Sequence, residues 1–329
     1  MTNRIVVIGS NSFSGASFIG QALMRGYTVL GISRSPENNT CLLPYKWSTQ
    51  DRFEFHQLDL NRHTKEIINE IKSFKGTHVI NFAAQAMVAE SWQNPDHWYQ
   101  TNVVANVRLH DQLRQINSLQ KYVHVSTPEV YGSCSGLVDE SHPFSPSTPY
   151  ATSRAACDMH LLNFFKNYDF PVVFTRAANV YGPGQQLFRI IPRTILFIKL
   201  GKKLQLHGGG KSLRSFIHIR DVAEATLNIA NNASPPETFH LSTDQHVSIR
   251  SLVELICLKM GADFQSLVEV SPDRPGKDDA YLLDSSKAKK ELNWKPEILL
   301  EDGIEETIDW VENNFDDLIK EPMDYIHKI

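Results

Sequence analysis

The sequence has few cysteines, no excess of basic residues and no long apolar run. Its four cysteines, at positions 41, 134, 157 and 257, lie far apart, so neither a disulfide framework nor a metal site is indicated. The most apolar stretch, residues 190–200, contains Pro192, Arg193 and Lys199, and we expect no membrane span. A formal charge of −4 without a basic stripe argues against a nucleic-acid partner. The first residues run into an apolar strand rather than an export signal, so we expect a cytoplasmic protein.

What the chain has is a regular alternation of apolar strand-like runs with helix-length amphipathic stretches. The runs lie at residues 5–8, 28–32, 53–55, 78–82, 122–126 and 171–175. Such alternation is typical of a parallel sheet covered by helices on both faces, because each parallel connection needs a crossover. The sequence therefore predicts an α/β fold with a doubly wound parallel sheet.

The second half of the chain has a looser pattern. Beyond Arg176, glycine-rich breakers at 182–184 and 208–210 interrupt it, and helix signals return at 248–259 and 301–314. We expect residues 1–176 to form the first domain, with 212–240 returning to it. Residues 177–211 and 241–329 are expected to form a smaller substrate domain on the carboxyl edge of the sheet.

A glycine turn follows the first strand and opens a helix. Gly9 and Gly15 bracket it, while Ser12 replaces the middle glycine of the usual dinucleotide fingerprint. In this context backbone N–H groups can bind a pyrophosphate, although the same residues could also form an ordinary tight turn between a strand and a helix. Asp59 and Leu60 end the third strand, where an adenine edge would lie. The predicted cofactor-binding residues of this region are Gly9, Ser12, Phe13, Ser14, Gly15, Asp59 and Leu60.

The end of the second strand indicates which dinucleotide is bound. A free ribose 2′-hydroxyl calls for an acidic residue here, whereas this chain has Ser33, Arg34 and Ser35. A guanidinium between two hydroxyls suits a 2′-phosphate. We therefore predict NADP in preference to NAD, the alternative being that Arg34 is a solvated surface cation.

Two further motifs place catalytic groups near one another. Thr127 and Glu129 follow an apolar strand, and Tyr150 and Arg154 are one helical turn apart and share a face. Together they offer a hydroxyl, a carboxylate and a phenol. Such a set can oxidise a sugar alcohol and then remove a proton beside the new ketone. Glu129 could instead cap or pair at the end of its strand.

With these motifs in this order, the chain resembles the extended short-chain dehydrogenase/reductases, a nucleotide-sugar epimerase/dehydratase family. It is most similar to the 4,6-dehydratases of the dTDP-glucose and GDP-mannose branches. The resemblance implies a Rossmann-type domain that holds NAD(P) tightly and regenerates it in each turnover, and a smaller domain for a nucleoside diphosphate hexose. It also implies a homodimer with a four-helix interface, built from helices around 102–115 and 150–165.

The resemblance assigns site residues across the chain. The catalytic residues implied are Thr127, Glu129, Tyr150 and Arg154. The cofactor-binding residues implied besides those of the strand ends are Ala83, Ala84, Gln85, Asn102, Tyr150 and Arg154. The substrate-binding residues implied are Gln85, Ser91, Thr127, Asn179, Arg214 and Arg274.

The chain departs from the family at two positions. Pro128 stands where the dTDP-glucose branch has an aspartate that protonates the leaving hydroxyl, while the GDP-mannose branch has serine there and dehydrates with its glutamate alone. Arg154 stands where the family has lysine; arginine keeps the charge but cannot relay a proton.

The expected activity is conversion of an NDP-hexose to an NDP-4-keto-6-deoxyhexose. It would proceed through C4 oxidation, C5 deprotonation, loss of the C6 hydroxyl and return of hydride to C6. The alternatives are a nucleotide-sugar 4-epimerase, which has no use for a C5 base, and a variant that releases a 5,6-alkene. A further alternative is a non-catalytic protein that binds NADP and a sugar nucleotide.

Overall fold

The computed structural model describes residues 4–48, 51–134, 136–272 and 282–328. The strands are Arg4–Ile8 (β1), Thr28–Ser33 (β2), Phe53–Gln57 (β3), His78–Asn81 (β4), Lys121–Val125 (β5), Leu137–Val138 (β6), Val172–Ala177 (β7), Asn179–Tyr181 (β8), Leu204–His207 (β9), Leu213–Arg214 (β10), Phe216–His218 (β11), Thr238–Leu241 (β12), Val247–Ser248 (β13), Val268–Ser271 (β14) and Leu282–Leu283 (β15). The α-helices are Phe13–Met24 (α1), Thr64–Phe74 (α2), Pro95–Tyr99 (α3), Asn106–Leu113 (α4), Pro149–Tyr168 (α5), Ile190–Leu200 (α6), Ile219–Asn232 (α7), Ile249–Met260 (α8), Phe264–Leu267 (α9), Ser286–Glu291 (α10), Leu300–Asn313 (α11) and Phe315–Leu318 (α12).

The main sheet has seven strands in the order β12-β7-β5-β4-β1-β2-β3, and every neighbouring pair is parallel. The chain moves outward from β1 to β3 and then returns to the other side of β1 with β4. The loops after β1 and β4 therefore diverge and leave a crevice at the carboxyl ends of the strands, where ligands bind in such sheets. The α/β prediction is confirmed.

Strand β1 shows why helices must cover both faces of the sheet. Its side chains alternate between the faces, so Ile5 and Val7 join one apolar cluster while Val6 and Ile8 join another. The first cluster includes residues of α1 and α7, and the second includes residues of α2, α4 and α5. A strand buried on both faces is apolar at every position, as in a parallel sheet.

The second half of the chain builds its own apolar cluster. Residues of α6, α8 and α11 form it, including Ile195, Leu252 and Ile304. The two helix signals at 248–259 and 301–314 correspond to α8 and α11. Helix α6, the most apolar stretch, is 11 residues long, and no helix among the described residues is long and apolar enough to cross a membrane.

Four buried histidines make folding sensitive to acid. Burial lowers the pKa of His218 and of His240 to about 3, and it lowers the pKa of His110 and His124 well below the usual value. A histidine with a depressed folded pKa contributes stability above its unfolded pKa of about 6.5, and that stability is lost as the pH falls toward the folded pKa.

We expect the free energy of unfolding to fall when the pH is lowered from 7.5 to 5.5. Each buried histidine contributes up to about 1.4 kcal/mol per pH unit below its unfolded pKa. Urea denaturation at the two pH values measures the change. Equal stability at both pH values would contradict the account.

Candidate active site

A cavity of ≈ 390 Å³ opens at the carboxyl ends of β1, β2, β3 and β4. Because these strands are parallel, the residues that follow them meet at one edge of the sheet. Residues far apart in the sequence therefore share this cavity. It is lined by Ile8, Gly9, Asn11, Ser12, Ile32, Ser33, Arg34, Ser35, Asn38, Leu42, Leu58, Asp59, Leu60, Asn61, Phe82, Ala83, Ala84, Gln85, Thr101, Gln186, Leu187, Phe188, Glu321, Pro322, Asp324, Tyr325, Ile326 and Lys328.

The glycine turn after β1 has a geometry that requires glycine at both ends. Gly9 has φ +87°, and a Cβ there would lie 2.7 Å from the backbone nitrogen of Ala83. A Cβ on Gly15 would lie 2.2 Å from the Gly9 oxygen. These glycines keep the corner open beside the N-terminus of α1, and this open corner fits the backbone-lined cradle that a dinucleotide pyrophosphate needs.

Ser12 occupies the middle position of the turn without strain. Its φ of −74° is ordinary for a side-chain-bearing residue, and it is the N-cap of α1. Its hydroxyl accepts from the Gly15 nitrogen at 3.1 Å and donates to the Gly9 oxygen at 2.7 Å. The serine side chain thus stabilises the turn with two hydrogen bonds that a glycine could not make. Phe13, Ser14 and Gly15 belong to α1 and do not line the cavity.

The ends of β2, β3 and β4 supply the other predicted cofactor residues. Ser33, Arg34, Asp59 and Leu60 line the cavity, as do Ala83, Ala84 and Gln85. The Asp59 carboxylate accepts from the Asn61 nitrogen, which orders the loop after β3. Arg34 is half-buried, and its Nη1 donates to the Lys328 oxygen at 3.0 Å.

Asn102 positions Gln85 rather than lining the cavity. Its side chain accepts from the Gln85 nitrogen at 2.8 Å and donates to the Gln85 oxygen and to the Ser153 hydroxyl, each at 3.0 Å. Asn102 lies in a π-helical segment, Gln100–Ala105, where the helical register changes. The amide thereby ties the loop after β4 to helix α5.

Thr127 and Glu129 lie where β5 ends. Thr127 is the N-cap of a short 3₁₀ helix, Pro128–Tyr131, and its hydroxyl accepts from the Glu129 nitrogen at 3.3 Å. The same hydroxyl lies 3.5 Å from Glu129 Oε2. Pro128 is the first residue of that helix, where a missing N–H leaves no hydrogen bond unmade. The proline is therefore compatible with the turn that presents Glu129.

Tyr150 comes to the same point from helix α5. The helix begins at Pro149 and is capped by Thr148, which fixes the tyrosine in its first turn. Burial and the negative charge of Glu129 raise the pKa of Tyr150 to about 12, while Arg154 and a hydrogen bond with Thr127 act in the opposite direction. Thr127, Glu129 and Tyr150 are thus electrostatically coupled neighbours.

Arg154 is buried behind Tyr150, one turn along α5. Its Nη2 donates to His124 Nε2 at 3.1 Å and to the Val125 oxygen. Asp158, one turn further, accepts from the Ser126 hydroxyl and from Arg176. The guanidinium therefore acts on Tyr150 as a fixed charge from within the protein, and Arg154 does not line the cavity.

His110, His124 and Cys157 form a fully buried cluster next to Arg154. Their possible ligand atoms all lie within 4.8 Å of one another. However, Arg154 donates to His124 Nε2, and its positive charge opposes a second cation at this point. We interpret the cluster as part of the polar network that holds the guanidinium in place.

Removing the charge of Arg154 should raise the pKa of Tyr150 further. In Arg154→Met we expect the pH profile of C4 oxidation to move upward by about one unit or more, because the opposite charge that favours the phenolate is gone. Arg154→Lys retains the charge and should hold the profile near that of the native protein. The measurement is single-turnover oxidation of the sugar between pH 6 and pH 10. Identical profiles for the two variants would contradict this role.

The structure places the predicted substrate residues at different points. Ser91 is buried, and its hydroxyl donates to the Val88 oxygen at 2.6 Å. Asn179 begins β8, which pairs with β11, and Arg214 ends β10. Arg274 lies outside the described residues.

Sequence reasoning missed the last part of the chain as a component of the site. Six of the residues 321–328, all but Met323 and His327, line the same cavity as the glycine turn, together with Asn11 and Thr101. No motif marks this segment. Arg189 was missed as well; its charge is close enough to lower the pKa of Tyr150.

Fold and site define an enzyme of the extended short-chain dehydrogenase/reductase class. The family model described as GDP-mannose 4,6 dehydratase matches residues 6–307. A dTDP-D-glucose 4,6-dehydratase of Mus musculus is 34% identical over 324 residues, covering 95% of this chain and 89% of that one. The chain therefore belongs to the GDP-mannose 4,6-dehydratase family of nucleotide-sugar 4,6-dehydratases.

Other relatives agree with this family. A dTDP-glucose 4,6-dehydratase of Xanthomonas campestris is 29% identical, covering 94% of this chain and 93% of its own. The solved structure of a dTDP-glucose 4,6-dehydratase from Streptomyces venezuelae, with NAD bound, superposes with a TM-score of 0.88 at 28% identity and covers 95% and 98% of the two chains. A UDP-glucose 4-epimerase of Thermotoga maritima, at 23% identity and a TM-score of 0.87, shows likeness of fold alone.

Proposed function

We propose that the protein converts a nucleoside diphosphate hexose to its 4-keto-6-deoxy derivative. The observation that carries this proposal is the meeting of Thr127, Glu129 and Tyr150 at the end of β5, with a fixed positive charge at Arg154 behind them. A phenol and a carboxylate side by side can serve oxidation at C4 and proton removal at C5. An epimerase would need only the first.

One group of residues acts on the C4 hydroxyl of the sugar, and another moves the protons at C5 and C6. Tyr150 takes the proton of the C4 hydroxyl, and Thr127 hydrogen-bonds that oxygen. Arg154 opposes the effect of burial, so that a phenolate can form. A bound nicotinamide dinucleotide supplies the acceptor for the C4 hydride and the donor that returns it to C6.

Glu129 acts once the ketone is present. A ketone at C4 makes the C5 hydrogen acidic, and the Glu129 carboxylate removes it. Pro128 offers no second acid, so Glu129, or water held beside it, also protonates the C6 hydroxyl as it leaves. One group performs both proton steps and returns to its starting state.

The dinucleotide is proposed to lie across the ends of β1, β2 and β4, in the cavity that the glycine turn keeps open. Gly9, Ser12, Asp59 and Ala83 would hold it there, since all four line that cavity. The charge of Arg34 favours NADP, whereas the NAD in the solved relative favours NAD. Direct titration with both dinucleotides distinguishes them.

We also propose which part of the chain binds the sugar nucleotide, and that the protein forms a homodimer. Residues 177–211 and 241–329 would hold the sugar nucleotide, with Asn179 and Arg214 among the contacts. Helices α3 and α5 carry exposed apolar side chains that fit a four-helix interface between two copies. These are Tyr99, Met159 and Tyr168, with Val104 in the π-helical segment between α3 and α4. Sedimentation of the purified protein gives its mass in solution.

A substrate panel in heavy water tests the proposed reaction. The protein would be incubated with NAD or NADP and with GDP-, dTDP-, CDP- and UDP-hexoses, and products followed by mass. We expect one donor to lose one water and gain one deuterium at C5. Isomerisation at C4 without loss of water would show an epimerase instead. Binding of dinucleotide and sugar nucleotide without any product would show a non-catalytic protein.

A further inference from the structure

Residues 126–131, here named the catalytic segment, are held at both ends by one buried ion pair. Arg176 Nη2 on β7 lies 2.8 Å from Asp158 Oδ2 on α5, and the two side chains are 3% and 0% exposed. The same Asp158 oxygen accepts from the hydroxyl of Ser126, the first residue of the segment, at 2.7 Å. The other arm of the guanidinium, Nη1, donates to the hydroxyl of Tyr131, the last residue. The ion pair therefore contacts the segment at its beginning and at its end.

The hydroxyl of Tyr131 both accepts and donates a hydrogen bond in this network. His240 Nδ1 lies 3.2 Å from the carbonyl oxygens of Val138 and Asp284, so this nitrogen carries the proton. His240 Nε2, 2.7 Å from the Tyr131 oxygen, must therefore accept from the phenol. Burial raises the pKa of Tyr131 to about 12, which keeps that proton in place. Because the phenol accepts from Arg176 and donates to His240, its position is fixed from two sides.

The use of charged groups for this hold indicates a positional function rather than a gain in stability. Removing two charges from water is costly, and apolar residues of similar volume are often at least as stabilising as a buried ion pair. Asp158 lies about two turns along α5 from Tyr150, and Arg176 lies on β7 beside β5. The pair therefore ties the catalytic segment to the helix that carries Tyr150.

The main sheet supports the beginning of the catalytic segment but not its end. At the beginning, the Ser126 nitrogen donates to the Thr175 oxygen at 2.8 Å, which continues the pairing of β5 with β7. Glu129 lies beyond the sheet, in the short 3₁₀ helix that ends at Tyr131. The position of the Glu129 carboxylate therefore depends on the contacts of Tyr131, whereas Tyr150 is positioned by a separate helix.

We propose that Arg176 and Asp158 are positioning residues that, through the hydroxyl of Tyr131, keep the Glu129 carboxylate within reach of the C5 hydrogen once C4 is a ketone. The inference rests on the proposed function. Both residues are buried, so they act through the catalytic segment and not on the sugar itself. When the contact with Tyr131 is lost, the sugar is still oxidised at C4, but its C5 proton is removed slowly and reduced dinucleotide accumulates.

The test compares the two halves of the reaction in Tyr131→Phe, which removes only the hydroxyl. The full-length protein with NAD or NADP is mixed in heavy water with dTDP-glucose, UDP-glucose or GDP-mannose, whichever the native protein oxidises. Single-turnover reduction of the dinucleotide and deuterium exchange at C5 are followed together. We expect exchange to slow about tenfold and C4 oxidation to stay within about twofold, because a shift of about 1 Å in a positioned group can cost about 10²-fold. KM for the sugar nucleotide should not change. Tyr181→Phe, which removes a buried hydroxyl that donates to the Leu300 oxygen at 3.4 Å, is the matched control and should react like the native protein.

Arg176→Lys weakens the same contact from the other side, because an ammonium keeps the charge beside Asp158 but lacks the planar fork that reaches both partners. It should change the ratio of the two rates in the same direction. Combined with Tyr131→Phe it should add little, since both substitutions remove one shared contact. A purely structural defect would lower both rates by the same factor, through the fraction of folded protein. A native ratio of the two rates in both variants would overturn the inference, whereas absence of C5 exchange in the native protein would overturn the proposed function itself.

Discussion

Glu129→Gln is expected to abolish dehydration while leaving oxidation of the sugar at C4. The amide keeps the size of the side chain but cannot accept the C5 proton, and Pro128 beside it offers no substitute. General acid–base catalysis by one positioned group contributes roughly 10²–10⁴-fold, and here one group performs two proton steps, so we expect a loss of about 10³-fold or more. The measurement is deuterium exchange at C5 in heavy water together with yield of the 4-keto-6-deoxy product.

The first half of the reaction, oxidation of the sugar at C4, should remain intact in this variant. In Glu129→Gln the 4-keto sugar and reduced cofactor should accumulate in a single turnover, because Tyr150 and Thr127 are intact. Glu66→Gln, on the first turn of α2 and away from the cavity, is the control and should react like the native protein. Native-like exchange at C5 in Glu129→Gln would assign the C5 base to another group.

Tyr150→Phe is expected to stop the reaction at its first step. Phenylalanine fills the same buried position in the first turn of α5 but has no oxygen to take the C4 proton. We expect single-turnover oxidation to slow by about 10²–10⁴-fold, as for loss of a general base. Because no ketone forms, exchange at C5 should stop as well, which distinguishes this variant from Glu129→Gln.

The control for the tyrosine variant lies on the same helix. Tyr168 is exposed at the end of α5, and Tyr168→Phe should oxidise the sugar at the native rate. The affinity for dinucleotide should change little in Tyr150→Phe, since Tyr150 does not line the cavity. Rapid accumulation of reduced cofactor in Tyr150→Phe would contradict the role assigned to the phenol.

The sheet could be predicted from the sequence because its signal is local. Strands buried on both faces must be apolar throughout, and crossover helices must separate them, so β1, β2 and β4 were recognisable from short runs. The glycine turn was predicted for the same reason, although Ser12 weakened the pattern. The structure shows that serine there has an ordinary φ and caps α1.

The direction of a long side chain was not predictable from spacing. The interval between Tyr150 and Arg154 places both on one face of a helix, but it does not fix where a guanidinium ends. In the structure the guanidinium turns toward His124 and the Val125 oxygen, at the carboxyl end of β5. That outcome depends on a strand about 30 residues earlier in the chain.

The contribution of residues 321–328 to the cavity was not predicted, because this stretch has no periodic pattern and its partners are remote in the sequence. Lys328 is 294 positions from Arg34 and 243 from Gln85. Its contact is made by a backbone carbonyl, and every residue has one, so the residue type carries no signal. The choice of NADP from the residues at 33–35 rested on the strand end alone.

A hexose labelled with deuterium at C4 tests the central claim most directly. If Tyr150 takes the C4 hydroxyl proton, and the hydride removed from C4 is returned to C6 after Glu129 has taken the C5 proton, the label should move from C4 to C6. Incubated in ordinary water with the donor identified by the substrate panel, the product should carry deuterium at C6 and none at C4. Deuterium kept at C4 in the product, or lost to water, would contradict the account.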